Sequence, residues 1–396
     1  MDNPFGSLSE SVFADKGVLS EEYQPDSIPE RDDEIELLRN ALKDVLFGNP
    51  PQNVFVYGKT GVGKTVVTNY MTKALKEQAR KRPEANDIRV LTHNCNGASA
   101  YSTVRSLVND IRGPDEKKFP KRGLGTADAL EAFYEELDDF GGTVLLVLDE
   151  IDHISDIDTL LYDIPRARKN GHLESAHVGI IGVSNDYGFR NRLSPKVRDT
   201  LMEREVSFSP YDAPELESIL TERAKKALHD DAYDDSAIRL CAALAAKDTG
   251  AARQALDLLR TGGDIAEEEG ATKITEEHIE RARPRVRRGR LRTRIQDQTT
   301  HAQLVLEAVA RLSSQGKTPA RSKEIMPVYQ NVARDYGLDP LESLKSVQNH
   351  LGDLTMLGFL SRSEKNDGRG GGLRYVYSLE IDAETVFKVR GEIDTN

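Results

Sequence analysis

The sharpest chemistry in the chain lies in eight consecutive residues, Gly58-Lys-Thr-Gly-Val-Gly-Lys-Thr65. They fit G-x-x-x-x-G-K-[ST] without a mismatch. Glycine carries no Cβ penalty at positive φ, so the segment Gly58, Lys59, Thr60, Gly61, Val62, Gly63 can turn successive backbone N–H groups inward as an anion nest. A helix starting where the loop ends adds the positive end of its dipole. Lys64 is then expected to reach the β- and γ-phosphates of a nucleoside triphosphate, and Thr65 to ligate Mg2+. The alternative is a chance glycine turn. An apolar run before the loop and an amphipathic pattern after it argue against that.

Residues 144–148 are purely aliphatic and end in Asp149-Glu150. Asp149 is expected to hold Mg2+ through water, and Glu150 to orient or deprotonate an attacking water. Asn185 follows another apolar run and could touch the γ-phosphate and that water; taken alone, it could equally cap a helix. Arg253 opens a later amphipathic stretch, where a guanidinium could clamp phosphates and report nucleotide state. In isolation it is a surface charge.

The elements that must position these residues follow from periodicity. Short apolar runs at 53–57, 88–92, 144–148 and 178–183, with a candidate fifth at 204–208, read as buried strands, and helical patterns such as 64–80 and 126–137 lie between them. Strand–helix alternation with little polar alternation inside the strands predicts a parallel sheet covered on both faces, with ligands at the C-terminal strand ends. After Pro210 the pattern becomes helical, at 215–228, 236–247, 252–260 and 275–283. Eight of the fourteen residues 281–294 are Arg, which reads as a solvated linker or as a phosphate-contacting arm or hinge.

From about residue 295 a third pattern begins. Helices are expected at 301–312, 322–334 and 340–357. Pro327 sits inside the second, so its first turn could stand apart, and Asp339 is a plausible cap for the third. The third exposes Ser343, Lys345, Ser346, Gln348 and Asn349, side chains of the kind that read base edges and phosphates. Two strands follow, joined by a Gly-rich basic turn with Arg369 at its tip and Arg374 beyond it. They make a β-hairpin wing that could reach a minor groove or phosphate. Lys345, Gln348, Asn349, Arg369 and Arg374 are therefore the candidate DNA contacts. A winged helix that binds protein is the bland alternative.

Composition bounds the reading. At 38% hydrophobic and 30% charged, the 396 residues can build packed cores in two or three domains. The aliphatic run 144–148 is far too short to span a bilayer, and the first residues lack a secretory pattern, so a cytoplasmic, nucleoid-associated protein without membrane contact is expected. Cys95 and Cys241 read as reduced, buried thiols. The net charge of −12 sits oddly with DNA binding until it is divided: residues 281–396 carry 20 Lys+Arg and 14 Asp+Glu, or +6, which leaves −18 on the rest. A salt-rich cytosol would explain so acidic a surface; an ordinary acidic protein is the other explanation.

In this order the motifs resemble those of AAA+ ATPases, with Asn185 as sensor 1 and Arg253 as sensor 2. Tyr23-Gln-Pro-Asp-Ser-Ile-Pro-Glu-Arg31, Leu148-Asp-Glu-Ile-Asp152, Gly182-Val-Ser-Asn-Asp186, Phe208-Ser-Pro-Tyr-Asp212 and Gly250-Ala-Ala-Arg-Gln-Ala-Leu-Asp257 narrow the resemblance to the archaeal replication initiators. That is the family of cell division control protein six and origin recognition complex subunit one, and a haloarchaeal member fits the acidity. The likeness extends from about Val12 to about Leu379.

The resemblance implies an α/β P-loop AAA+ base (1–210), a helical lid (211–283), a basic linker (284–295) and a C-terminal winged helix (296–396). It implies ATP/ADP and Mg2+ as cofactors, slow hydrolysis as a switch, and duplex origin DNA, the replicative helicase and other initiator subunits as partners. By analogy Tyr23, Ile28 and Arg31 lie where the family packs adenine. Tyr211 and Arg223 are further nucleotide-binding candidates. One departure stands out: the family's Leu-x-Pro-Arg-Val, a candidate arginine finger, is Leu193-Ser-Pro-Lys196-Val here, with Arg192 and Arg198 nearby. The competing readings are a P-loop transcription regulator and a loader that ignores DNA sequence.

Overall fold

The computed structural model describes residues 11–82, 87–113, 115–366 and 373–393. The chain divides into two units, Met1–Ala282 and Arg283–Asn396. In the first, β1 (Val54–Gly58), β2 (Ile88–Asn94), β3 (Thr143–Asp149), β4 (His177–Ser184) and β5 (Arg204–Phe208) form one parallel sheet in the order β2-β3-β4-β1-β5. This is the α/β fold expected of the alternating apolar runs. β1 is buried along its whole length and β3 as far as Leu148, but β2 and β5 are not. They are the sheet edges, where coverage is incomplete.

Helices cover both faces. Lys64–Ala79 buries Val67, Met71 and Leu75, one turn apart, against Val54, Val56, Val147 and Val183. Burial at that spacing is worth roughly 1.5–3 kcal/mol for each large side chain. On the other face Ala100–Ile111 and Thr126–Phe140 pack Leu107, Phe133 and Leu137 over Val144, Leu146 and Leu148.

The lid helices are Ala213–Ala227, Asp235–Asp248 and Ala252–Glu268. The first is started by a reciprocal cap: Asp212 Oδ1 accepts from Glu215 N at 2.9 Å, and Glu215 Oε2 accepts from Asp212 N at 2.7 Å. Gly262 and Gly263 sit inside the third lid helix, where glycine costs roughly 1 kcal/mol relative to Ala. Packing explains both, because a Cβ would lie 2.4 Å from Ile279 Cδ1 at the first and 2.3 Å from Phe13 Cζ at the second. Phe13 thereby fastens the N-terminal segment to the lid, aided by the hydrogen bond from Ala14 N to Ala227 O at 2.9 Å.

The second unit contains helices Thr300–Ser314, Ser322–Asp335, Leu344–Met356 and Ala383–Ile393, with an antiparallel sheet of β6 (Ala320–Arg321), β7 (Leu360–Asn366) and β8 (Leu373–Leu379) in the order β6-β8-β7. Its core joins Leu304, Val309, Tyr329, Leu351 and Phe359. The second helix runs unbroken through Pro327, contrary to the expected break; the Glu324 carboxylate accepts from Arg321 N at 2.7 Å and secures its first turn. The third begins at Leu344 rather than 340, and Asp339 does not cap it. Leu341 N instead donates to the buried Tyr329 hydroxyl at 2.8 Å, which holds the preceding residues in a loop. The Arg-rich stretch is helical, within Glu276–Gln296.

Candidate functional site

Parallel register brings the chemistry to one edge of the sheet. Asn94 pairs with Asp149, Asp149 with Val183, and Tyr57 with Ser184, so the ends of four strands lie side by side. The loop after β1 returns through Gly61 at φ 82° and Gly63 at φ 96° into the helix Lys64–Ala79. Gly58 is required by contact, since a Cβ there would lie 2.8 Å from Phe208 O.

Lys64 is buried and donates to Gly58 O at 2.8 Å, Lys59 O at 2.9 Å and Asn185 Oδ1 at 2.8 Å. Burial pushes its ammonium down to about 8, against the pull of Asp149. Thr65 Oγ1 donates to Asp149 Oδ2 at 2.9 Å. Glu150 has φ 55° and ψ 41°, a left-handed conformation uncommon for a side chain of this type, and it turns the chain sharply after β3. Cys95, behind the site, donates its N–H to Asp149 O at 2.8 Å; burial pushes its thiol up to about 12, so it is an inert structural thiol.

These groups open into a cleft of about 250 Å3 between the sheet edge, the N-terminal segment and the lid. Thr60, Gly61, Gly63, Lys64, Thr65, Asp149, Glu150 and Asn185 line it, as do Ile28, Tyr211, Arg223 and Arg253. Gly58, Lys59 and Val62 do not; their carbonyls accept from Lys64, Lys64 and Arg31 respectively.

Tyr23 and Arg31 also stand outside the lining, unlike the direct contact expected of them. Arg31 is drawn under the loop. It donates to Val62 O at 3.1 Å, Ser209 O at 2.7 Å and Glu34 Oε1 at 2.8 Å, and its guanidinium lies 3.6 Å from the Tyr211 ring centroid. Tyr23 supports Arg223, whose guanidinium sits 4.4 Å over its ring and donates to Val18 O at 3.0 Å. Arg253 Nε pairs with Glu21 Oε1 at 2.9 Å.

Several lining residues escaped sequence reading. Asn94 ends β2 beside Asp149 and carries the same signal that marked Asn185, a polar residue closing an apolar run. Leu19, Ile219 and Leu256 give the cleft an apolar end suited to a base, and Glu21 an acidic edge. No local pattern marks these four. Lys196 packs its ammonium 3.6 Å from the Tyr162 ring centroid, and Arg192 pairs with Asp186 at 2.5 Å. Neither they nor Arg198 line the cleft.

In the second unit Lys345 and Asn349, one turn apart, are exposed on the helix Leu344–Met356. Gln348 is half-buried and donates to Ser322 Oγ at 3.2 Å, so part of its hydrogen-bonding capacity is already used. Arg374 is exposed on β8, and Arg362 of β7 stacks on Tyr375 at 4.2 Å. Asn366 pairs with Leu373 in the antiparallel hairpin, and Arg369 lies outside the described residues. Among the described residues no helix is long and apolar enough to cross a membrane.

Family models match along the chain: an AAA ATPase domain over residues 27–169, a Cdc6 AAA+ ATPase-type lid domain over 217–284, and a CDC6 C-terminal winged helix domain over 293–389. The chain is 48% identical over 395 residues to ORC1-type DNA replication protein 8 of Halobacterium salinarum, covering 100% of this chain and 99% of that one. It is 45% identical over 376 residues to ORC1-type DNA replication protein 11 of Haloarcula marismortui, covering 95% and 90%. Among solved structures, the Aeropyrum pernix ORC1 protein in complex with DNA superposes with a TM-score of 0.82 at 31% identity, over 97% of this chain and 98% of that one.

Proposed function

Because the chain belongs to the ORC1-type DNA replication protein family, we propose that it is an origin-recognition initiator: it holds origin duplex DNA through its winged helix, helps recruit the replicative helicase, and is switched by ATP. The observation that carries this reading is the cluster at the strand ends, where Lys64 Nζ meets Asn185 Oδ1 at 2.8 Å and Thr65 meets Asp149 at 2.9 Å, in the same chain as a helix and hairpin that expose Lys345, Asn349 and Arg374. The relatives named as DNA replication proteins favour this over a transcription regulator.

The loop N–H groups and Lys64 would hold the β- and γ-phosphates, with Arg253 approaching from the lid. Leu19, Ile28, Ile219 and Leu256 would enclose the base, and Arg223 and Tyr211 would close its sides. Glu150 would accept a proton from the water that attacks the γ-phosphorus, and Asn185 would orient that water, yielding ADP and phosphate. Thr65 and Asp149 offer adjacent hard oxygen donors, the type Mg2+ selects, and the ion would neutralise charge on the phosphates. Hydrolysis in this reading is slow and times the bound state.

The test is a footprint of the purified protein, in high potassium chloride, on DNA flanking its own gene. A protected repeated element beside an AT-rich stretch, lost in Lys345→Ala/Asn349→Ala, is the expected result. Absence of any protected element at every salt and nucleotide condition would replace the initiator with a loader that ignores sequence.

A further inference from the structure

The basic surplus of the second unit is confined to one helix. Glu276–Gln296 carries eight arginines between residues 281 and 294 and no acid across that stretch. Residues 297–396 hold twelve Lys+Arg against fourteen Asp+Glu, so the body that presents Lys345 and Asn349 is itself net −2. A surface of that sign does not attract a phosphate backbone unaided.

We infer that residues 283–296 form a phosphate-binding arm that grips the backbone of duplex DNA without regard to sequence, an inference that rests on the DNA-binding reading above. The arm is seated on the same body as the candidate reading helix. Ile295 is fully buried in the core of the second unit and Leu291 packs against it. Arg294 donates to the carbonyl of Leu357, the residue that caps Leu344–Met356, and stacks over Phe359 at 4.8 Å. Arg283, Arg287 and Arg288 are exposed, and among the described residues none has an ion pair. Arg281, by contrast, is engaged by Glu269.

Arg283 and Arg287 stand one turn apart on one face, about 6 Å along the axis. Their forked guanidinium donors fit phosphate oxygens in a bidentate manner. A protein partner fits less well. The apolar side chains of the arm, Val286, Leu291 and Ile295, are turned inward, which leaves no exposed apolar anchor of the kind protein interfaces use.

The experiment measures duplex affinity of the full chain against potassium chloride concentration, on the footprinted element and on an unrelated duplex. The variants are Arg283→Gln/Arg287→Gln/Arg288→Gln and the same three positions changed to Lys. Three lost phosphate contacts make the slope of log affinity against log salt shallower by about 2.7, so the advantage of wild type over the Gln variant shrinks about 500-fold between about 0.1 and about 1 M salt. The protected sequence stays the same, and the Lys variant keeps the wild-type slope. A Gln variant with the wild-type slope on both duplexes overturns the arm alone. Equal loss of slope in the Gln and Lys variants also overturns it, by marking a structural role. Failure of wild type to bind any duplex overturns the DNA-binding reading with it.

Discussion

Arg253 Nε and Glu21 Oε1 lie 2.9 Å apart, joining the first turn of the third lid helix to the segment that precedes the sheet. Both residues line the cleft. Arg253, proposed above to approach the phosphates from the lid, is therefore held by a carboxylate that a phosphate oxygen would have to displace.

Glu21→Ala is expected to tighten nucleotide binding. The pair is about half exposed, so breaking it costs no more than about 1 kcal/mol, which corresponds to a gain of up to about five-fold in affinity. Loss of a negative charge from the cleft acts in the same direction. Titration with a fluorescent ADP analogue measures this, and a weaker dissociation constant in Glu21→Ala would show that Glu21 supports the site rather than competing for it.

Glu150 is the base in the proposed reading. Glu150→Gln should retain ATP binding and lose about 100-fold or more in turnover, the usual contribution of a positioned proton acceptor. Lys64→Ala should instead lose binding, because its ammonium faces the loop carbonyls and Asn185. Filter binding and phosphate release separate the two effects. Hydrolysis by Glu150→Gln at the wild-type rate would remove Glu150 from the chemistry.

Arg31 is a positioning residue. Its guanidinium ties Val62 O and Ser209 O together while stacking on Tyr211. Arg31→Ala should destabilise the first unit by about 2–4 kcal/mol, since the buried Val62 carbonyl, the Ser209 carbonyl and Glu34 lose a charged donor. Arg31→Lys restores charge but not the fork, so it should recover urea stability only in part and bind nucleotide more weakly. Wild-type stability in Arg31→Ala would mean that the loop does not depend on this contact.

Asp138 supplies a pH-dependent term. Burial acts to raise its carboxyl value, but hydrogen bonds from the backbone of Ala176, Glu174 and Ser175 outweigh it and hold the group below its ordinary range. The folded value is lower than the unfolded one, so the stabilisation is complete above the ordinary carboxylate range and disappears as pH falls through the folded value. Asp138→Ala should cost about 1 kcal/mol near neutrality, and the gap to wild type should close below about pH 4. Urea midpoints at the two conditions test it; a gap that stays constant would assign the cost to packing instead.

The sequence by itself determined the phosphate loop, the strand positions and the helix-rich character after Pro210. Each is a local property: glycine at the positive φ of Gly61 and Gly63, unbroken aliphatic runs such as Val144–Leu148, and a turn-by-turn apolar stripe at Val67, Met71 and Leu75. Asn185 and Asp149 were legible as candidates because each follows a buried apolar run, and parallel strands end their runs on the same side of the sheet. The winged-helix pattern was legible too, but its boundaries were not: Pro327 lies within a continuous helix, and Asp339 belongs to a loop pinned by Tyr329.

Only the tertiary structure decided the order β2-β3-β4-β1-β5 and which side chains face the cleft. Arg31 and Arg253 look alike in the sequence as charges beside motifs, yet one is buried beneath the loop and the other is exposed and paired with Glu21. Periodicity reports the conformation of neighbouring residues. A partner far away in the chain, such as Glu21 for Arg253 or Ser209 for Arg31, is set by which segments the closed core brings side by side, and no local pattern encodes that choice.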